Sequence, residues 1–289
     1  MKRIALFLAL ILSTTALAED PQHLLGRCTK DQLRDEPYGE WFSAGFDAYT
    51  PNPEIIGELK KVDPSTFRYQ IFFGTWCGDS RREVPRMLRL LQELGISDQR
   101  IDVIGLDREG DRLKRGPNDE EKGLSIYRVP TIIVQRDNAE IGRIIEHPML
   151  SLERDLLTIV SQRDYATSYP VYAEIDRWLE AGLLTDPNVS PGGLAAQIRS
   201  KINGEGDLSA VASVLRARGE TDAAIKLYAT NADLHWDRAR PHHRLATILG
   251  EAGETKLAVQ SAKRALMRAE EDEQRAQLLQ LLEELQSEE

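Results

Sequence analysis

The stretch that decides the fold runs from Phe67 to Pro85 and reads FRYQIFFGTWCGDSRREVP. Residues 67–73 are mostly aromatic or apolar, a pattern typical of a buried β-strand. From Val84 onward, apolar side chains recur at helical spacing with arginines on the other face. The sequence therefore predicts a strand and a helix joined by a tight turn that holds Cys77.

Three more strands and two more helices are predicted further along the chain, and the last of these helices is amphipathic. Apolar runs at 101–106, 131–134 and 141–145 have the length and composition of strands, and a turn at Asp137-Asn138 joins the last two. The amphipathic helix is expected at 152–162. We interpret the order as strand, helix, strand, helix, strand, strand, helix, which predicts an α/β fold with a mixed sheet flanked by helices.

The residues around Cys77 resemble the active-site motif of the thioredoxin-like family, Trp-Cys-Gly-Pro-Cys. Trp76 and Gly78 occupy their motif positions, and Pro85 follows Cys77 by eight residues, as the helix-kinking proline of the family does. The resemblance covers about residues 66–162 and implies a thioredoxin-like fold in which Cys77 is the nucleophile.

The second landmark of the family is a cis-proline that precedes a strand and faces the thiol. The run Val129-Pro130-Thr131, ahead of the predicted strand, matches this landmark. The resemblance implies that an extended peptide docks beside Pro130, where a backbone edge can pair with it.

Two positions depart from the family pattern. Ser80 stands where the family has its resolving cysteine, so the motif cannot close a disulfide, although the hydroxyl could donate a hydrogen bond to a Cys77 thiolate. Ile71 stands where thioredoxins carry a buried acid that moves protons, and no other residue evidently takes that role. A single thiol can still form a mixed disulfide, which another thiol must release.

The charges expected around Cys77 are mixed. A helix N-terminus favours a thiolate, and Arg81 acts in the same direction while Asp79 opposes it. His147 is either a base close to Cys77 or a solvated loop histidine. The histidines show no metal-ligand spacing, so we predict neither a metal nor a cofactor.

Cys28 is the only other cysteine of the chain. One interpretation makes it the resolving thiol, which requires its Cα atom to lie within about 7 Å of that of Cys77. The other makes it a small buried hydrophobe.

Beyond Tyr165 only helical periodicity remains. The run Gly219-Glu220-Thr221 recurs at Gly253-Glu254-Thr255, and apolar residues on both sides repeat in the same register. This spacing resembles that of the tetratricopeptide repeat, and the alternative is two unrelated helical hairpins that share a turn. Helices near 171–181 and 272–285 are expected to cap the repeats, whose surface would recruit a protein partner.

The 289 residues contain two cysteines and carry a net charge of −10, which excludes a disulfide-stapled mini-protein and disfavours nucleic-acid binding. Residues 1–18 combine two basic residues, a short apolar run and Ala16-Leu17-Ala18, the pattern of a signal peptide. We expect export, in a bacterium to the periplasm, with no membrane attachment after cleavage. The expected parts are then an extension at 19–65, a thioredoxin-like domain at 66–165 and an α-helical repeat domain at 166–289.

The leading hypothesis is thiol-disulfide exchange through a single motif cysteine, more like an isomerase than a reductase. Protein thiols, disulfides or extended peptides would be the substrates. The alternative is a non-catalytic binding or scaffold module that keeps the fold as a recognition surface.

Overall fold

The structure, a computed structural model, describes residues 23–287, so the expected signal peptide lies outside the described residues. A five-stranded mixed sheet lies at the centre of the N-terminal half, in the spatial order β1-β3-β2-β4-β5. Strands β2 and β3 are parallel, and the other neighbouring pairs are antiparallel. The strands are β1 Gly26–Cys28, β2 Arg68–Phe73, β3 Ile101–Gly105, β4 Thr131–Arg136 and β5 Ala139–Ile145.

Helices flank this sheet and form the whole C-terminal region, which confirms the predicted layout of a mixed sheet followed by helices. The helices of the first half are α1 Lys30–Arg34, α2 Gly39–Ala48, α3 Pro53–Lys61, α4 Gly78–Glu93 and α5 Leu152–Val160. Those of the second half are α6 Val171–Glu180, α7 Pro191–Ile198, α8 Glu205–Ala217, α9 Thr221–Leu234, α10 Ala239–Glu251, α11 Thr255–Leu266 and α12 Asp272–Ser287. Among residues 23–287 no helix is both long and apolar enough to cross a membrane.

The predicted helix between the second and third strands is wrong. The chain between β3 and β4 is a long loop whose only helical element is one 3₁₀ turn, Gly110–Arg112. Lys114 and Asp119 have positive φ angles of 54° and 56°, which a right-handed helix cannot contain. The segment also lacks apolar residues at helical spacing, so no face could hold a helix against the sheet.

The N-terminal extension contributes to the core of the α/β region. Its strand β1 forms one edge of the sheet through antiparallel pairing with β3. Phe42 and Phe46 of α2 are buried in the same apolar cluster as β2 and α4, and Gly45 lies against the ring of Pro85. The extension also contains helix α3. Residues 23–65 therefore supply part of the core on which α4 rests.

The repeated Gly-Glu-Thr segments have the same turn geometry. Gly219 and Gly253 have φ angles of 79° and 77°. The following N–H groups, of Glu220 and Glu254, donate to the carbonyl oxygens of Leu215 and Leu249 at 2.9 and 2.8 Å. A glycine in this conformation ends one helix and allows the next to turn back. One apolar cluster extends from α6 through these hairpins to α12.

Replacing Gly219 or Gly253 by alanine is expected to lower the free energy of unfolding by about 1 kcal/mol at each site, because a Cβ disfavours positive φ. Both sites have open space around the added Cβ, so the cost comes from the backbone. Gly57 is the matched control: it is exposed in the middle of α3 with equally open space, so alanine there should stabilise the protein. Urea unfolding of the three variants measures these differences, and equal effects at Gly57 and Gly253 would contradict the expectation.

Candidate functional site

Cys77 lies at the start of α4, just beyond the C-terminal end of the central strand β2. It is the N-cap residue of the helix, and its backbone N–H donates to the carbonyl oxygen of Gly74 at 2.9 Å. The side chain is half-buried, and it packs with Trp76 and Leu124 against an apolar cluster that includes Phe72. The turn therefore places a partly accessible thiol where unpaired N–H groups and the helix dipole favour negative charge.

The structure brings Cys77 together with the second predicted landmark. The peptide bond between Val129 and Pro130 is cis. Sγ of Cys77 donates to the carbonyl oxygen of Val129 at 3.2 Å. The carbonyl oxygen of Pro130 accepts from the N–H of Glu146 at 2.7 Å, which ties this loop to the residue following β5. Two segments far apart in the sequence thus meet at the thiol.

Trp76 fixes the turn beside the thiol. Its indole N–H donates to the carbonyl oxygen of Leu106, at the end of β3, at 3.0 Å. The ring covers Gly74 so closely that a Cβ there would lie 2.4 Å from a ring atom. Gly78, by contrast, is exposed and has no atom near the position of an added Cβ, so the side of Cys77 toward the start of α4 is open.

Ser80 stabilises the turn. Its side chain is fully buried, and its hydroxyl accepts a hydrogen bond from the backbone N–H of Gly74 at 3.2 Å. Within residues 23–287 the only hydrogen-bond partner of the Cys77 sulfur is the Val129 carbonyl oxygen. The predicted hydrogen bond between Ser80 and the thiol is therefore not present in this structure.

The charged residues of the first turn of α4 are paired with each other or with backbone. Nε of Arg81 donates to the carbonyl oxygen of Thr75 at 2.6 Å. Asp79, expected to oppose a thiolate, forms an ion pair with Arg82 at 2.7 Å, and Arg82 also contacts Glu83 at 2.6 Å. This pairing reduces the repulsion that Asp79 would exert on a negative sulfur.

His147 is a solvated loop residue in this structure. It is exposed, and its Nδ1 lies 3.3 Å from the carbonyl oxygen of Pro148 and 3.4 Å from the hydroxyl of Ser168. Its ring lies beside that of Tyr169. These contacts favour the second interpretation of His147 over a base for Cys77.

Cys28 and Cys77 are both free in the structure. Cys28 ends the edge strand β1 opposite Val103, which pairs in turn with Ile71 of β2. Two strand spacings, about 10 Å, therefore separate Cys28 from the middle of β2, and Cys77 lies beyond the end of that strand. Cys28 also packs against a different apolar cluster from Cys77. A disulfide would require β1 to leave the sheet, which argues against Cys28 as the resolving thiol.

Burial raises the pKa of the Cys28 thiol from 9.0 to about 12. The fold favours the neutral thiol, so this contribution to stability is present below pH 9 and is lost as the pH rises towards 12. At pH 9 we expect alkylation of Cys28 by iodoacetamide to be about 100-fold slower in the folded protein than in urea. Peptide mass spectrometry measures this ratio, and comparable rates in both states would contradict the assignment.

A buried charged cluster that the sequence did not predict lies directly behind the Val129–Pro130 loop. Arg128 donates to Glu146 at 2.8 Å and to the Tyr172 hydroxyl at 2.5 Å, and it lies 3.6 Å from Asp207 of α8. Its guanidinium stacks on the ring of Tyr169, whose hydroxyl donates to Glu146. Burial raises the pKa of Asp207, while Arg128 counteracts this effect. The cluster links the loop at the thiol to α6 and α8.

Lys114 is the second residue that sequence reasoning missed. Burial, followed by the charge of Arg128, lowers its pKa from 10.5 to about 8, and the charges of Cys77 and Glu146 act in the opposite direction. No motif identifies it, because it lies in the loop for which a helix was predicted. Its proximity to the site depends on how that loop folds back.

No protein-family model matches the chain, and comparisons with curated proteins and with solved structures find no significant match. In the described part of the chain, no group of three or more histidine, cysteine or acidic side chains has an arrangement that could hold a metal ion.

Proposed function

We propose that the chain is an exported thioredoxin-like protein that performs thiol-disulfide exchange through Cys77. The observation that carries this proposal is the position of the half-buried thiol at the N-cap of α4, with Sγ 3.2 Å from the carbonyl oxygen that precedes cis-Pro130. The strand order β1-β3-β2-β4-β5, in which only β2 and β3 are parallel, supports the thioredoxin-like assignment.

The reaction proceeds through a mixed disulfide. The Cys77 thiolate attacks one sulfur of a substrate disulfide, a new S–S bond forms, and the other sulfur leaves as a thiolate that takes up a proton. Because Ser80 has no thiol and Cys28 lies in the edge strand, no internal thiol is placed to resolve the intermediate. A second thiol of the substrate, or an external thiol, releases it. Such a cycle rearranges disulfides without net oxidation, which favours an isomerase-like role.

The substrate is an extended polypeptide that contains cysteines. Gly78, next to Cys77, is exposed and leaves space for an extended strand to approach the sulfur from the start of α4, whereas Val129 and Pro130 on the other side of the sulfur are buried. The helical hairpins α8–α11, which resemble tetratricopeptide repeats, recruit a protein partner. The signal-peptide pattern of residues 1–18 supports an oxidising compartment, the bacterial periplasm, where such substrates occur.

The test is an isomerisation assay on a protein with scrambled disulfides in a glutathione buffer. The wild-type chain and Cys28→Ser are expected to accelerate recovery of the native disulfides, and Cys77→Ser is not. If Cys77→Ser is as active as the wild type, or if none of the three accelerates the reaction, the proposal fails. In the second case the non-catalytic binding module becomes the better account.

A further inference from the structure

We infer that the outer face of helix α11 binds an acidic amphipathic helix of a partner protein. This inference deepens the proposed function, on which it rests only for the expectation that the helical region recruits a protein. The outer face is the solvent-exposed side of α11 and its C-cap residue, and it consists of Lys256, Leu257, Gln260, Lys263, Arg264 and Met267.

The first helical hairpin, α8 and α9, shows what covers the corresponding face of α9. Helix α7 and the turn that precedes it pack on that face. Nζ of Lys226 donates to the carbonyl oxygens of Asp186 and Val189 in this turn, at 2.9 and 2.6 Å. Thr230, one helical turn further along the same face, is completely buried. In the first hairpin the face is therefore covered by a helix and its preceding turn.

The second hairpin, α10 and α11, presents the corresponding face without a cover. Aligned on the repeated Gly-Glu-Thr runs, Ala223 of α9 corresponds to Leu257 of α11. Ala223 is 3% exposed, whereas Leu257 is 49% exposed. The buried Thr230 corresponds to Arg264, which is exposed. Within residues 23–287 the helices that pack closely on α11 are α10 and α12, and neither covers the outer face. The inferred occupant is thus a helix that lies on α11 as α7 lies on α9.

The uncovered face offers apolar contacts to such a helix. Leu257 and Met267 lie at opposite ends of the face, and Met267 is 75% exposed. Trp236, which is 64% exposed, lies close to the Met267 end, because Nε of Arg268 donates to the Trp236 carbonyl oxygen. Large exposed apolar side chains grouped on one surface are typical of protein-binding sites, in which tryptophan is a common anchor.

The charges of the outer face favour an acidic partner. Lys256, Lys263 and Arg264 are exposed, and α11 contains no acidic residue. Within residues 23–287 the side chains of these three cations form neither an ion pair nor a hydrogen bond. Glu254 and Glu270 lie beyond the two ends of the helix. In a chain with a net charge of −10, this face is therefore a local concentration of unpaired positive charge.

The partner helix differs from α7 in its charge. The three cations have no counterpart on α9, where the corresponding residues are Asp222, Ala229 and Thr230. A neutral helix such as α7 would cover the cations of α11 without supplying counter-charges, which is unfavourable. Carboxylates on both sides of an apolar stripe would pair with them and would steer the encounter. The fitting partner therefore has apolar side chains at helical spacing, with aspartate or glutamate beside them.

The first measurement uses two synthetic peptides. One is a peptide of about 18 residues with leucines at helical spacing on one face and glutamates beside them. The other has the same composition in scrambled order, so it keeps the charge but has no apolar face. The anisotropy of each labelled peptide is measured as the whole chain is added. We expect the patterned peptide to bind at least about 10-fold more tightly than the scrambled one. Equal binding of both, or binding of neither, overturns the inference.

Two substitutions test whether the peptide binds to α11. Arg264→Glu reverses a charge and Leu257→Gln removes an apolar contact, and each is expected to weaken binding of the patterned peptide about 10-fold. The matched controls are Arg163→Glu and Leu150→Gln, which make the same changes at exposed residues outside the helical region and should leave binding within about two-fold of the wild type. Circular dichroism establishes that each variant is folded. If the controls weaken binding as much as the α11 variants do, the inference is wrong.

Light scattering after size exclusion distinguishes a partner protein from a second copy of this chain. The wild-type chain is expected to be unaffected in mass by Arg264→Glu. A wild-type dimer that Arg264→Glu dissociates would assign the outer face to a second copy and overturn the inference of an acidic partner.

The peptide titration and the exchange assay together separate this inference from the proposed function. If the wild-type chain binds the patterned peptide through α11 but exchanges no disulfide, the proposed exchange fails while the binding surface stands. If the wild-type chain exchanges disulfides and does not bind the patterned peptide, only the binding surface on α11 fails.

Discussion

Replacing Arg128 by methionine is expected to lower the free energy of unfolding by about 3 kcal/mol, well above the cost of breaking an exposed ion pair. Arg128 is the only cation within hydrogen-bond or ion-pair distance of both Glu146 and Asp207 in the described structure. Asp207 is almost completely buried, so removing the guanidinium leaves a carboxylate enclosed without its counter-charge. Urea unfolding of the whole chain measures the effect.

Two further variants identify the cause of that loss. Arg216 pairs with Glu251 on the surface, so Arg216→Met is expected to cost no more than about 1 kcal/mol. In the Arg128→Met background, Asp207→Asn should recover part of the loss, because the unpaired charge disappears. If Arg128→Met and Arg216→Met cost the same, the cluster does not stabilise the contact between the sheet and the helical region.

Replacing Cys77 by serine is expected to reduce disulfide exchange to the uncatalysed background, a loss of about 10³-fold or more. Serine is nearly isosteric with cysteine, and its hydroxyl can still donate to the Val129 carbonyl oxygen, so the fold should be retained. A hydroxyl does not attack a disulfide at neutral pH, because it has no accessible anionic form. The rate of exchange with oxidised glutathione, measured by release of the free thiol, checks this result.

The control for this substitution is Cys28→Ser. Cys28 lies in the edge strand and packs against a different apolar cluster, so its removal should leave the exchange rate within about two-fold of the wild type. A loss of exchange in Cys28→Ser, with the protein still folded, would show that Cys28 resolves the mixed disulfide after all.

The elements that were predicted correctly are those whose signal is local. Strand β2, the turn at Cys77 and helix α4 follow one another within a stretch that changes from a mostly apolar run to apolar residues at helical spacing. The hairpin of β4 and β5 was predicted in the same way, since Asp137 and Asn138 both adopt the positive φ angles of a tight turn. The repeated turns at Gly219 and Gly253 were predicted because the run Gly-Glu-Thr recurs in the sequence with matching apolar residues on both sides.

The parts that were missed depend on contacts between distant segments. Strand β1 has three residues and no pattern of its own, and it is a strand only because β3 offers an edge. Nothing in the sequence distinguishes Arg128 from the other arginines. Its role in the buried cluster follows from its ion pair with Asp207, which belongs to a helix of the C-terminal region. Lys114 was missed for the same reason, because its lowered pKa depends on burial and on the charge of Arg128, which follow from how a loop without periodicity folds.

The same distinction, between local sequence signals and contacts that depend on the fold, applies to the predicted site residues. Cys77, Val129 and Pro130 were assigned from short motifs, and the structure brings them together. The expected roles of Ser80 and His147 depended on side-chain directions that the sequence does not contain. Ser80 turns inward to the Gly74 N–H, and His147 turns to solvent near Ser168.

The most direct test of the central claim is to trap the mixed disulfide. The wild-type chain is incubated with a peptide disulfide at neutral pH, quenched with acid, digested and examined by mass spectrometry. We predict that the substrate peptide is joined through a disulfide to the fragment that contains Cys77, and that the fragment containing Cys28 carries none. A chain that forms no such adduct at Cys77, or forms it at Cys28 instead, would contradict the proposed exchange through Cys77.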